Sequence, residues 1–397
     1  MLEQITQFVL NYKYVLVFYF LIIIFLIIKR KQLDFQAKII VLYRMKFGLK
    51  FIDKISSKFK EWVVLLGYIG VGAGYVGLIF ISYIMIKNLY DLIFVSSATS
   101  GVSLVLPGIN VPGMGILPFW YWIIAIFLIA LIHEFGHGVV AKANDIDVKN
   151  TGLVLLGPII GAFVEPNEEK LRKQKDISQY SVLAAGPFAN ILLALLALVL
   201  LTLVFTPLQQ AMVEPTGFTF DNYVNESYPF AQAGILPGTL ITGIDGKETL
   251  EFQQFSQELA CISPGEKVKL STPKQNYSLI LTASPDDASK SFMGIKEIHN
   301  EFKVKEKYQL GLWKPIYYAI DWLTGFLRWL FLLSLGIGLF NLLPLPIVDG
   351  GRMMQVTLHR LKGKEKGEKR YKQISMFFLL VLLLNLLYPL FRGFFGI

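Results

Sequence analysis

The sequence predicts an α-helical polytopic membrane protein with about six transmembrane helices and one inserted, β-rich soluble domain. Its 397 residues are 54% hydrophobic and only 17% charged, and their mean hydropathy is +0.53. Apolar runs near the length of about 20 residues that a bilayer-crossing helix needs recur six times along the chain. One stretch, 215–300, instead mixes polar and apolar residues without a run of that length, which indicates an independent soluble domain.

The apolar runs predict the positions of the six spans. The first is followed by Lys29-Arg30-Lys31 and not by a small-residue cleavage site, so we interpret it as a retained anchor and not as a signal peptide. The predicted spans are Tyr12–Ile28, Val63–Ile86, Trp120–Ala141, Tyr180–Phe205, Trp322–Leu343 and Ser375–Phe391.

The charges predict how the chain lies in the membrane. Three loops rich in Lys and Arg, at 29–60, 168–175 and 359–373, fall on one side by the parity of the spans. The positive-inside rule makes that side cytoplasmic, which predicts a multi-pass protein of the cytoplasmic membrane with segment 206–315 outside. Because the basic residues flank spans, the net charge of +9 does not indicate nucleic-acid binding. The single cysteine, Cys261, excludes an internal disulfide framework.

Residues 44–60 show two interleaved four-residue periods. The segment has two interpretations: a basic amphipathic helix on the cytoplasmic leaflet, with membrane lipid as its partner, or a solvated helix packed on the protein. The aromatic and aliphatic series is Phe47, Phe51, Ile55 and Phe59, and the basic series is Lys46, Lys50, Lys54 and Lys58.

Two apolar segments are broken by Gly and Pro. Loop 88–119 cannot form a regular span, and we expect it to dip into the membrane edge. In 152–164, two short apolar runs flank Gly157-Pro158, which predicts a re-entrant hairpin. Its edge could pair with an extended substrate, although a plain packing hairpin is an equal interpretation.

The third span carries the motif His133-Glu134-Phe135-Gly136-His137. Positions i and i+4 share a face of a helix, so His133 and His137 can bind one metal ion with Glu134 beside them as general base. Ionisable groups inside a span are costly and usually functional. The motif therefore predicts a catalytic zinc helix, and a structural His pair is the alternative.

A hydrolytic zinc site needs a third protein ligand and an open place for water. Asp349 is the one carboxylate in the apolar stretch at the end of the fifth span, and Pro344 and Pro346 can turn the chain inward just before it. The alternative is an interfacial Asp-Gly turn without a catalytic role. Asn190 and Asn341 are candidates to stabilise the oxyanion or, alternatively, to hold helices together.

Together these residues resemble the site-2 protease family of intramembrane zinc metalloproteases, in its archaeal and bacterial form. The matching positions are the H-E-F-G-H at 133–137, the Gly186-to-Asn190 pattern, and Asp349 in the V-D-G that follows Asn341-Leu-Leu-Pro. Residue 348 is Val where the family usually has Leu, which keeps its apolar character. The A-G-I-L-P-G run at 233–238 and the strand and turn after it resemble a PDZ domain, so the inserted soluble domain is predicted to be PDZ-like.

The resemblance implies Zn²⁺ held by His133, His137 and Asp349, with Glu134 as the catalytic base. It also implies cleavage of peptide bonds within or near transmembrane segments of membrane-anchored substrates, such as an anti-sigma factor or a membrane-anchored transcription regulator. The alternative function is a non-catalytic membrane scaffold with structural zinc and a recruiting PDZ domain.

Four segments follow from these interpretations. They are 1–60, the anchor and basic amphipathic segment; 61–205, the membrane catalytic core with metal helix and re-entrant hairpin; 215–300, the extracytoplasmic PDZ-like domain; and 313–397, the C-terminal membrane core with the Asp-Gly ligand segment.

Overall fold

The structure is a computed structural model that describes residues 2–395 except 37–39, 96–100, 102–105, 112–113 and 158. The helices are α1 (Leu2–Lys29), α2 (Leu49–Lys58), α3 (Lys60–Phe94), α4 (Phe119–Ala143), α5 (Glu168–Lys173), α6 (Asp176–Leu200), α7 (Thr206–Met212), α8 (Pro229–Gln232), α9 (Phe252–Leu259), α10 (Trp313–Phe340), α11 (Asp349–Lys362) and α12 (Lys364–Phe395). A π-helical stretch, Leu201–Phe205, joins α6 to α7.

Within the described ranges the strands are mostly short and lie in five sheets. They are β1 (Leu33–Gln36), β2 (Ile40–Met45), β3 (Asn110–Val111), β4 (Gly115–Ile116), β5 (Val148–Leu156), β6 (Ile159–Pro166), β7 (Val213–Tyr223), β8 (Gly243–Ile244), β9 (Lys247–Glu248), β10 (Lys267–Ser271), β11 (Asn276–Ile280), β12 (Thr282–Ala283), β13 (Ser291–Phe292) and β14 (Ile295–Val304).

Six helical segments among the described residues are long and apolar enough to cross a membrane, which confirms the predicted fold class. They are Tyr12–Gln32, Lys60–Phe94, Phe119–Ala143, Asp176–Met212, Trp313–Phe340 and Lys364–Tyr388. The second is longer than predicted because polar residues at its end remain helical: Lys87 and Asp91 form an i,i+4 ion pair at 2.7 Å. Part of predicted loop 88–119 is therefore helix, and much of the remainder lies outside the described residues.

The chain divides into two compact units. One comprises Met1–Leu201 and Gly325–Ile397, and the other is Thr202–Thr324. The second unit is β-rich: it contains a four-stranded sheet of order β11-β10-β8-β9 and a long antiparallel pair of β7 with β14. Its core is built on fully buried aromatic and aliphatic side chains, among them Phe218, Phe230 and Phe255. The predicted domain 215–300 lies inside this unit.

The first unit contains an antiparallel sheet of order β1-β2-β5-β6 that the sequence analysis did not predict in full. Strands β5 and β6 flank Gly157, where the sequence predicts a hairpin, and β2 pairs with β5 from Ile40–Leu156 to Met45–Thr151. Residues 40–45 are thus strand, and the predicted helix over 44–60 is shorter, beginning at Leu49. The six-residue run Ile40–Met45 is stabilised by a partner more than 100 residues away, which local periodicity does not reveal.

Helices α4 and α6 approach closely where glycines remove side chains. A Cβ added at Gly136 would lie 2.8 Å from the carbonyl oxygen of Ala185, and one at Gly138 would lie 3.0 Å from both Ile52 and Val164. Small residues allow such backbone contact between helices in a membrane. The metal-binding segment of α4 therefore lies directly against α6, α2 and β6.

We expect the β2–β5 pairing to be trapped by a disulfide, since Leu42 lies directly opposite Val154. With Cys261→Ser as background, Leu42→Cys with Val154→Cys should cross-link under mild oxidation, because opposite residues in an antiparallel pair lie within disulfide reach. Leu153 points to the other sheet face, so Leu42→Cys with Leu153→Cys is the matched control. Equal cross-linking of the two pairs, measured by gel mobility, would contradict the register.

Candidate metal centre

Helix α4 presents His133 and His137 on one face, one turn apart. Their Nε2 atoms lie 3.1 Å from each other, and the two side chains are only 11% and 12% exposed. Each ring is fixed from behind through Nδ1. His137 Nδ1 lies 2.7 Å from the carbonyl oxygen of Val182, and His133 Nδ1 lies 3.1 Å from Nδ2 of Asn190. Such contacts at the second nitrogen hold the Nε2 atoms toward a common point.

Asp349 reaches that point from another part of the chain. Helix α10 ends at Phe340, a buried loop follows through Leu342, Leu343 and Leu345, and Asp349 is the first residue of α11. Gly350 and Gly351 bring this helix start tightly under the loop: the Gly350 N–H donates to the carbonyl oxygen of Asn341 at 2.8 Å. A Cβ at Gly351 would overlap the carbonyl group of Leu345.

The three side chains form a set that fits a zinc ion. Asp349 Oδ2 lies 3.1 Å from His133 Nε2 and 3.3 Å from His137 Nε2. Tetrahedral ligands at about 2.0–2.1 Å from zinc lie about 3.4 Å from one another, so a small outward shift of the three ligand atoms would accommodate an ion. Among the described residues, these three form the only group of three or more His, Cys, Asp or Glu side chains whose ligand atoms lie close enough together to hold a metal ion. Two nitrogens and one carboxylate leave a fourth place open.

Gly186 on α6 keeps room for the ion. A Cβ added there would lie 2.6 Å from His133 Nε2 and closer still to His137 Nε2. Pro187 follows it and lacks the N–H that an internal helix position normally donates, so α6 continues through the turn that faces the site with one backbone hydrogen bond fewer.

Glu134 lies beside the centre and lines the same cavity. This cavity has a volume of about 280 Å³ and is also lined by both histidines, Asp349 and Asn341. Glu134 Oε2 accepts a hydrogen bond of 2.9 Å from the Val164 N–H of β6. The carboxylate therefore stands between the metal ligands and a strand edge, where it can reach a water molecule in the cavity.

The two asparagines take different places. Asn341 lines the cavity, and its Nδ2 donates to the carbonyl oxygen of Ile337 at 3.1 Å, which leaves one amide proton. Asn190 is fully buried behind His133 and is not among the cavity-lining residues. The oxyanion role predicted for Asn190 does not match this position, which instead favours orienting the imidazole. If His133 Nε2 binds a metal, Nδ1 carries the proton and the Asn190 amide oxygen turns toward it.

Several groups that shape the site were missed from sequence. The carbonyl of Val182 offers no sequence signal, because any residue has one. The sequence pointed to Gly186 through the Gly186-to-Asn190 pattern, but not to its place beside the two Nε2 atoms, and Gly350 and Gly351 carried a signal because glycine next to a predicted ligand indicates close packing. Arg352 was also missed. It forms an ion pair with Glu168 at 2.9 Å, and both residues line the cavity.

Comparison with known proteins relates this site to a family. Residues 121–386 match the model of peptidase family M50, which is more than half of the chain. An uncharacterized protein of Methanocaldococcus jannaschii, MJ0971, is 28% identical over 324 residues, which cover 81% of this chain and 78% of that protein.

Named proteases are more distant relatives. The zinc metalloprotease RasP of Shouchella clausii is 24% identical over 50% of this chain, and the regulator of sigma-E protease RseP of Salmonella typhimurium is 25% identical over 41%. The matches cover 55% and 48% of those two proteins, so the chain aligns with about half of each. The PDZ domain of an SdrC-like protein from Listeria monocytogenes is 25% identical over 21% of this chain and 88% of that one, with a TM-score of 0.18.

We expect Gly186→Ala to abolish metal binding, because the added methyl group would occupy the space between the two Nε2 atoms. Gly336→Ala is the matched control, since a Cβ at that membrane-helix position meets nothing within 4 Å. Zinc per protein is measured by atomic absorption after purification. Full zinc content in Gly186→Ala, with Gly336→Ala unchanged, would contradict the site.

We expect Asn190→Ala to lower zinc affinity about 10–100-fold, as losses of a ligand-orienting contact do. Competition with a chelator measures it. Asn385→Ala is the control, because Asn385 is an equally buried membrane asparagine that donates to Met85 and Val381. Unchanged affinity combined with a large loss of activity would instead support the oxyanion role.

Proposed function

Because the chain belongs to peptidase family M50 and is a zinc metalloprotease of the site-2 type, we propose that it hydrolyses peptide bonds within or near transmembrane segments of membrane-anchored proteins. One observation carries the proposal: Glu134 shares a cavity with the His133–His137–Asp349 cluster, and the helix that carries His133, Glu134 and His137 is apolar enough to span a bilayer. A scaffold with structural zinc would need no carboxylate at that position.

The residues divide the chemistry among them. A zinc ion held by His133, His137 and Asp349 would act as a Lewis acid toward a water molecule and the substrate carbonyl. Glu134 takes the proton from the attacking water and passes it to the leaving nitrogen, as a general base and then a general acid. The remaining amide proton of Asn341, on the cavity wall, can donate to the oxygen on which negative charge develops.

Strand β6 supplies an edge for an unwound substrate. It is the last strand in the order β1-β2-β5-β6. Along an antiparallel strand the N–H and C=O of one residue point the same way and alternate between neighbours. The Val164 N–H points to Glu134 and away from β5. The backbone N–H and C=O groups of Ala162 and Ile160, two and four residues earlier, therefore also point to the free edge of the sheet. A substrate segment that pairs there would run toward Glu134, and strand pairing would extend a peptide that is helical elsewhere.

The proposed substrates are membrane-anchored proteins such as an anti-sigma factor or a membrane-anchored transcription regulator. The name of one relative, regulator of sigma-E protease, supports this class. The positive-inside rule supports a cytoplasmic membrane location with the β-rich unit outside. There, a PDZ-like domain could hold or screen the external part of a substrate.

Glu134→Gln tests the proposal. We expect the purified variant to keep zinc, since Gln changes no ligand, while cleavage of a single-pass substrate in proteoliposomes falls about 100-fold or more. The wild type stripped of metal by a chelator, and then resupplied with zinc, is the control for activity. Wild-type rates from Glu134→Gln at full zinc content would contradict the assignment of Glu134 as the base.

A further inference from the structure

Helix α2 and the residues around it expose an unusual row of aromatic side chains. Phe47 is 85% exposed, Phe51 56%, Phe59 46% and Trp62 67%. Single exposed aromatic side chains are common and need no explanation. Four of them within 16 residues form an apolar surface, and such surfaces mark sites that bind a protein partner or a membrane. The same segment carries the exposed cations Lys46, Lys50, Lys54 and Lys58. We call these eight residues the aromatic–lysine surface.

The chain places this surface at the edge of the bilayer. Helix α2 ends at Lys58, and the spanning helix α3 begins at Lys60, with Phe59 alone between them. Trp62 lies in the first turn of that span, and exposed Trp at a span end is typical of the lipid–water boundary. Helix α2 therefore ends where the membrane-spanning helix begins.

The charge of the surface is one-sided. Among the described residues, no ion pair is found for any of its four lysines. The one acidic residue of α2, Asp53, is engaged by Lys142 of α4 at 3.2 Å. Lysine side chains can extend their ammonium groups toward the headgroups while their methylene stems lie along apolar surface. This chemistry suits anionic phospholipid.

The opposite side of α2 rests on the metal helix. Ile52 is 1% exposed and lies against Gly138, where an added Cβ would be 3.0 Å from its Cδ1. Phe51, which belongs to the aromatic–lysine surface and is 56% exposed, also reaches this helix: its ring lies 5.2 Å from that of Phe135, the residue directly after Glu134. A group bound to the outer side of α2 is thus one helix away from the catalytic residues.

We propose that the aromatic–lysine surface is a docking site for anionic phospholipid, and that lipid bound there steadies helix α4 around the metal ligands. The aromatic side chains enter the interface, and the lysines hold lipid phosphates. By the positive-inside rule this lipid belongs to the cytoplasmic leaflet, whose surface is the more anionic one. The inference does not depend on the proposed protease function.

The first experiment measures how deeply the aromatic–lysine surface lies in the membrane, after the single native cysteine has been removed. In a Cys261→Ser background, Phe47→Cys and Ser57→Cys are labelled with a fluorophore in nanodiscs that contain nitroxide-labelled lipid. Ser57 is the control, because it is exposed on the side of α2 that bears Asp53. We expect several-fold stronger quenching at position 47 than at 57. Equal quenching at both positions, or none at 47, would overturn the docking of lipid and leave an acidic protein segment as the better occupant.

The second experiment tests whether the lysines of the surface select anionic lipid. It uses the full chain carrying Glu134→Gln, so that the outcome is independent of proteolysis. Lys50→Gln/Lys54→Gln/Lys58→Gln is compared with Lys267→Gln/Lys269→Gln/Lys274→Gln, three exposed lysines of the β-rich unit. Native mass spectrometry measures retained phosphatidylglycerol against phosphatidylcholine. We expect the first triple variant alone to lose a several-fold preference for phosphatidylglycerol. Equal preference in both variants would overturn the proposal.

A third experiment measures whether bound lipid stabilises helix α4. Hydrogen exchange of the peptide covering 131–143 should be slower in nanodiscs with phosphatidylglycerol than in phosphatidylcholine alone, and the first triple variant should abolish that difference. Exchange that is the same in both lipids for the parent protein would overturn the coupling to the metal helix.

Discussion

The site depends on one convergence: two imidazoles from α4 and one carboxylate from the start of α11 meet within 3.3 Å of each other. Backbone must come very close for that to happen. Gly186 leaves space at the nitrogens, and Gly350 and Gly351 let α11 begin directly under the loop that ends α10. A side chain at any of these three positions would push the ligands apart. The glycines therefore matter to the centre as much as the ligands do.

A nearly buried polar cluster between membrane helices is costly unless each of its groups has a partner. Here the partners come from backbone and from one amide: Val182 contacts His137, and Asn190 contacts His133. Glu134 is held by the N–H of Val164. Because the contacts of the two imidazoles are made at Nδ1, the Nε2 atoms of both rings remain directed at the metal position. The same strand that holds Glu134 offers its free edge to a substrate, so the base and the proposed substrate-binding edge are positioned together.

Much of this arrangement was predictable from sequence. Span-length apolar runs gave six helices, and the His133–His137 spacing with Asp349 after a proline-broken segment gave the ligand set. Two kinds of feature could not be predicted from sequence: strands that form by pairing with a distant part of the chain, and the orientation of side chains around the imidazole rings. Strands β1 and β2 lie in a segment that the sequence predicted as a basic loop, because β2 pairs with the distant β5 and β1 pairs with β2. Asn190 lies one turn from Gly186 on α6, but only the fold shows that its amide faces the back of His133. The structure is consistent with both interpretations of residues 44–60, since α2 packs on α4 through Ile52 while Phe51 and the preceding Phe47 are exposed.

X-ray absorption spectroscopy of the purified, active protein tests the central claim most directly. Four nitrogen or oxygen neighbours at about 2.0–2.1 Å from zinc, with the multiple-scattering signature of two imidazoles, are expected from His133, His137, Asp349 and one water. A sulfur neighbour at about 2.3 Å, which only Cys261 or a methionine could supply, would contradict the account. So would peptide hydrolysis at the full rate by protein that contains no metal.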